Sequence, residues 1–142
     1  MPYEFQLPLA VGEQPVMRGG GLGPYAPGEY SDDTQMAVCI AEVSATGADL
    51  RTSDSLDRIA GNFLRWRREG ASDIGVQTRQ VLDAVSHLSG AGIAAAMRDA
   101  AAELHRRTGR SAGNGSLMRN RAGCAGLSRR AGGARRGRPG GQ

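Results

Sequence analysis

Apolar residues recur at helical spacing in four stretches of the chain. Met36, Cys39, Ile40 and Val43 fall three or four positions apart and predict a first amphipathic helix. Ser31 stands where its N-cap belongs, Asp32 and Asp33 suit the first turn of the helix dipole, and Gly47 ends the run. A second helix opens at Thr52 or Ser53, carries Leu56, Ile59, Ala60, Phe63 and Leu64 as its apolar stripe, and closes at Gly70. Val81, Leu82, Val85 and Leu88 mark a third, stopped by Ser89 and Gly90. A fourth runs from Ile93 to Arg107 through Ala94, Met97, Ala101 and Leu104, with Gly109 beyond its end. No segment alternates with β-branched residues as a half-buried strand would. The pattern predicts an all-α fold.

Outside these stretches the period is lost. Residues 1–30 hold all but one of the prolines, and residues 18–29 read as loop, built from residues that fix turns or tolerate positive φ. After residue 119 the chain changes character: residues 120–142 are mostly Gly, Arg and Ala with no apolar period, and the expectation is a disordered tail. The chain thus divides into a partial domain at 1–119 and a Gly/Arg-rich tail at 120–142. All 18 basic residues are arginine, which points to GC-rich coding DNA, and the tail reads as the product of a frameshift.

Charge follows the same division. The formal net charge is +4, but six arginines (121, 129, 130, 135, 136 and 138) lie in residues 121–142, which hold no acid. Without them 12 basic residues face 14 acidic ones, so any salt-dependent, non-specific nucleic-acid binding is expected of the tail and not of the domain. Cys39 sits in an apolar helical stretch and reads as a small buried hydrophobe. Cys124 has no neighbouring ligand that would make a zinc site with it. No apolar run approaches the roughly 20 residues of a membrane helix, and residues 1–5 lack a signal-peptide pattern, so no membrane association and a cytoplasmic location are expected.

Three segments carry candidate chemistry. Ser31, Asp32 and Asp33 set two carboxylates and a hydroxyl at a helix entrance behind a Gly/Pro loop. Such an all-oxygen set suits a hard cation such as Mg²⁺, although the same three residues also read as an N-cap with dipole-favoured acids. Residues 107–119 form a loop with three glycines that allows close approach of backbone N–H groups to a phosphate or ribose, or serves simply as a linker. It lacks the lysine of a Walker A loop and the preceding strand of a dinucleotide fingerprint. Asp73 and Gly75, with Thr78, make a candidate polar cluster between helices, although Asp73 taken alone reads as an N-cap. His87 and His105 have no partner acid or cysteine nearby in sequence and read as surface or structural residues.

Taken in order, Pro-Gly-Glu-Tyr-Ser-Asp-Asp-Thr-Gln-Met at 27–36, Asp-Ile-Gly at 73–75 and Gly-Asn-Gly-Ser-Leu-Met-Arg at 113–119 resemble the ADP-ribosylglycohydrolase family over about residues 2–119. The resemblance implies a truncated ADP-ribosylglycohydrolase-like helical bundle, with a binuclear Mg²⁺ centre in the family and ADP-ribose or an ADP-ribosylated substrate as ligand. It places metal ligands at Ser31, Asp32 and Asp33. It places substrate contacts at Gly113, Asn114, Gly115 and Ser116, with Asp73 and Gly75 lining the same cleft. Glu4, in Pro2-Tyr-Glu-Phe5, matches the glutamate that approaches the substrate. The reaction implied is metal-assisted hydrolysis of a glycosidic bond at the ribose anomeric carbon.

Two departures temper this. The family pattern has an apolar helix and a Gly-Asp before the Pro-Tyr-Glu-Phe segment, and a late Asp-x-Asp-Thr motif that completes the metal centre; neither is found in this sequence. The expectation is at most one weakly held ion, marginal folding and an inactive hydrolase. The alternative is a non-enzymatic ADP-ribose- or nucleotide-binding module.

Overall fold

The computed structural model describes residues 7–21 and 23–109. Four helices follow one another: α1 (Asp32–Ala45), α2 (Ser53–Arg68), α3 (Val76–Ala84) and α4 (Ile93–Thr108). No strand occurs among the described residues, so the fold class is all-α as expected. None of these helices is long and apolar enough to cross a membrane.

The second helix is the hub, packing against each of the other three. Ile59, Ala60, Leu64 and Trp66 are its buried apolar residues. Leu64, only 2% exposed, joins Met36 and Cys39 of α1, Leu82 of α3 and Ile93 of α4 in one cluster, while Ile40, Val43 and Ile59 form a second. Each large aliphatic side chain so buried contributes roughly 1.5–3 kcal/mol. The predicted stripe of α1 is buried at all four positions. The stripe of α2 is buried at Ile59, Ala60 and Leu64, with Phe63 packed against the core, while Leu56 is 43% exposed and Trp66 is buried as well.

Helix ends follow local chemistry. Thr52 caps α2, its Oγ1 accepting from the Ser55 N–H at 3.3 Å. The entrance of α4 is capped from another helix: Asp57 of α2 accepts from the Gly92 and Ala94 N–H groups, both at 2.8 Å. These two bonds hold the Asp57 carboxyl below its ordinary pKa. The third helix stops at Ala84, short of the predicted Leu88. Ser86 explains the early end, because its hydroxyl donates to Asp83 O at 2.9 Å and draws the chain into successive turns. Gly47, Gly70 and Gly109 follow α1, α2 and α4 in the left-handed conformation.

Cys39 is buried and free, and burial pushes its thiol up to about 11, in keeping with an inert core residue. His87 and His105 are exposed.

Candidate functional site

The chain enters α1 through a loop folded back on itself. The Gly28 N–H donates to Met17 O at 3.0 Å and the Gly20 N–H to Tyr25 O at 2.8 Å, bringing Met17 and Gly20 against Gly28 and Tyr25. Gly19 is required there. Its φ is +78°, and a Cβ would lie 2.7 Å from Tyr25 O and 2.8 Å from Pro27 N. Between this loop and the start of α1 lies a cavity of about 290 Å³, lined in part by Gly19, Tyr25, Glu29, Ser31 and Thr34.

Glu29 is the clamp of the region. Its carboxylate accepts from the Ala26 N–H at 2.8 Å and from Ser72 Oγ at 2.8 Å. The Ala26 N–H, then Ser72, keep its carboxyl below the ordinary range. Because Ser72 belongs to the loop between α2 and α3, this bond draws that loop, and Asp73 with it, to the mouth of α1. Gln35 supports the arrangement from inside the helix. Its Nε2 donates to Tyr30 O at 2.8 Å, while its Oε1 accepts from Trp66 Nε1 at 2.6 Å.

Ser31 occupies the N-cap position with extended backbone, yet its side chain makes no cap hydrogen bond. Asp32 and Asp33 form the first turn. The Asp32 carboxyl is raised above its ordinary pKa, first by burial and then by the Asp33 carboxylate, with Asp73 adding to the rise and first-turn N–H groups offsetting part of it. Asp32, Asp33 and Asp73 are therefore brought into one electrostatic neighbourhood. Tyr25 shares it: a Cβ on Gly23 would touch both the Tyr25 ring, at 3.0 Å, and Asp73 Cβ, at 3.7 Å. Gly75 stands apart as the exposed N-cap of α3, where a Cβ would meet nothing within 4 Å. Glu4, the segment Gly113, Asn114, Gly115 and Ser116, and the tail lie outside the described residues.

The donor chemistry is oxygen throughout: two adjacent carboxylates, the Ser31 and Thr34 hydroxyls, and Asp73 close by. A buried carboxyl raised beside a second carboxylate, as Asp32 is beside Asp33, favours a hard divalent cation, and in donor type the residues fit one. Among the described residues, however, no three His, Cys, Asp or Glu side chains are gathered as a ligand set, so water and ligand oxygens would complete any coordination shell.

Tyr25 and Glu29 escape a reading of the sequence. Glu29 lies inside the 27–36 motif, but its partner is 43 positions away. Tyr25 sits in a loop without periodicity.

The described residues thus form an all-helical unit with an acidic helix entrance beside a small cavity. The model of the ADP-ribosylglycohydrolase family matches residues 1–136, almost the whole sequence, and the chain is a member of that family. The match continues past residue 119, where the motif-based resemblance stops. No curated protein and no solved structure matches the chain.

Proposed function

We propose that the entrance of α1 binds the ADP-ribosyl group of an ADP-ribosylated substrate, for hydrolysis of the glycosidic bond at the ribose anomeric carbon. One observation carries this reading: Asp32, its carboxyl raised first by burial and then by Asp33 and Asp73, belongs to the same helix entrance as Ser31 and Thr34, which line the cavity. Negative charge concentrated in this way favours a ligand that brings a cation and several hydroxyls.

Asp32 and Asp33, with the Ser31 hydroxyl, are the residues that would hold Mg²⁺. A bound divalent ion supplies orientation of the ribose oxygens and stabilisation of developing charge as water replaces the acceptor. The chain's own contribution is positional. Glu29 and Ser72 fix Asp73 against the α1 entrance, and Gly19 lets the loop fold beside the cavity.

A second reading is that the α1 entrance binds the ADP-ribosyl group without appreciable turnover. Titration calorimetry with ADP-ribose, with and without Mg²⁺, tests the first step. Magnesium-dependent binding that Asp32→Asn and Asp33→Asn each weaken at least tenfold is expected. Binding indifferent to both substitutions would sink the assignment. Release of ADP-ribose from ADP-ribosyl-arginine then separates the two readings: sustained turnover means a working hydrolase, and binding alone means a module.

A further inference from the structure

Gln35 joins the core to the wall of the cavity. Trp66 is buried in the cluster that includes Met36, Leu82 and Ile93, and it donates its indole N–H to Gln35 Oε1 at 2.6 Å. An indole nitrogen can only donate, so this bond fixes which end of the amide faces the core. The other end is left for the loop, where Nε2 donates to Tyr30 O at 2.8 Å and reaches Glu29 Oε1 at 3.5 Å.

The bond to Tyr30 bears on the next residue. The Tyr30 carbonyl belongs to the planar peptide unit that enters Ser31, and tying its oxygen restrains the turning of that unit. Ser31 takes an extended backbone (φ −67°, ψ 166°), from which a serine ordinarily accepts from a first-turn N–H. Its side chain makes no such bond, and Ser31 lines the cavity. Serine is among the best caps, so residue type does not account for this.

We propose that Gln35 is a positioning residue: anchored by Trp66, it orients the peptide unit before Ser31 and so keeps the serine hydroxyl with the oxygen set of Asp32 and Asp33 and out of the cap. The inference rests on the metal-assisted reading given above and adds to it a residue that acts only through Ser31.

Gln35→Met keeps the length of the side chain and removes the amide. Calorimetric ADP-ribose affinity with and without Mg²⁺, and ligand-free thermal unfolding, are measured on the full chain for Gln35→Met, Ser31→Ala and the double variant. With Mg²⁺, each single substitution should weaken ADP-ribose binding about tenfold, the scale of losing a partner that orients a metal ligand. The double variant should be no weaker than Ser31→Ala, because an absent hydroxyl needs no placing. Without Mg²⁺ every variant should match the unaltered protein within about twofold. The Tm of Gln35→Met should fall in both backgrounds, since the Trp66 N–H loses its partner.

An equal loss with and without the Ser31 hydroxyl overturns the proposal, as does an equal loss with and without Mg²⁺; either would make Gln35 structural only. Unchanged affinity in Gln35→Met overturns it too and leaves the functional reading standing. Should Gln35→Met not fold, Trp66→Phe carries the same comparison, since it frees the amide without removing it: a Mg²⁺-specific loss that Ser31→Ala cancels supports the role, and its absence ends it. If the unaltered protein shows no Mg²⁺-dependent binding, or Ser31→Ala leaves that binding intact, the metal reading falls and the positioning role with it.

Discussion

The entrances of α2 and α4 and the entrance of α1 solve the same problem in opposite ways. Every helix begins with N–H groups that have no partner within the helix. At α2, Thr52 supplies one; at α4, Asp57 reaches across from a neighbouring helix and supplies two. At α1 the residue best suited to cap, Ser31, leaves its hydroxyl out of the cap, and two carboxylates crowd the first turn with a third nearby. Two entrances are finished structures. The third leaves the Ser31 hydroxyl out of the cap while first-turn N–H groups bond to the Asp32 carboxylate, and the loop before it is anchored through Glu29. Cohesion in this domain gathers around α2, whereas ligand chemistry collects where stabilising options were left unused.

This contrast can be broken by substitutions. The largest effect belongs to the hub: Leu64→Ala should cost about 2–5 kcal/mol in denaturant unfolding, and a loss under 1 kcal/mol would mean that α2 does not organise the core. Thr52→Ala should cost about 1 kcal/mol by the same measurement. Asp57→Asn should lower stability near neutral pH. Because the folded pKa of Asp57 lies below its ordinary 3.8, its contribution is complete above that value and is lost as pH falls through the depressed one. Unfolding curves of the variant and the parent protein should therefore converge in strong acid, and a gap that persists there would assign Asp57 some other role. Asp32→Asn should reverse the sign, raising the ligand-free Tm by a few degrees because it relieves burial and like-charge crowding, while Mg²⁺ no longer raises it further. Smallest of all, Ser31→Ala should shift stability by less than about 0.5 kcal/mol. A loss matching that of Thr52→Ala would show the two entrances to be alike.

What the sequence disclosed follows the range of the interactions concerned. The apolar period located α1, α2 and α4 to within a residue or two, because it is set within each helix. It overran the end of α3, where the Ser86 side chain competes locally with the helix. It assigned Leu56 to the core and missed Trp66, since the two ends of the stripe depend on what packs against them. At the site, Asp32 and Asp33 announced themselves by adjacency. The clamp between Glu29 and Ser72 and the enclosure of Tyr25 exist only after folding. No period or spacing marks them, and in the loop the glycines are the sole outward sign.

The bond from Trp66 to Gln35 gives this protein a built-in optical gauge. Trp66 is the single tryptophan of the sequence. Its indole N–H is held by Gln35 Oε1, and the other end of that amide holds the Tyr30 carbonyl, in the wall of the cavity. Emission from an indole depends on the polarity and hydrogen bonding around its ring nitrogen. A ligand that draws on Tyr30 or Glu29 should therefore change the colour or brightness of Trp66 fluorescence through Gln35, with no label attached.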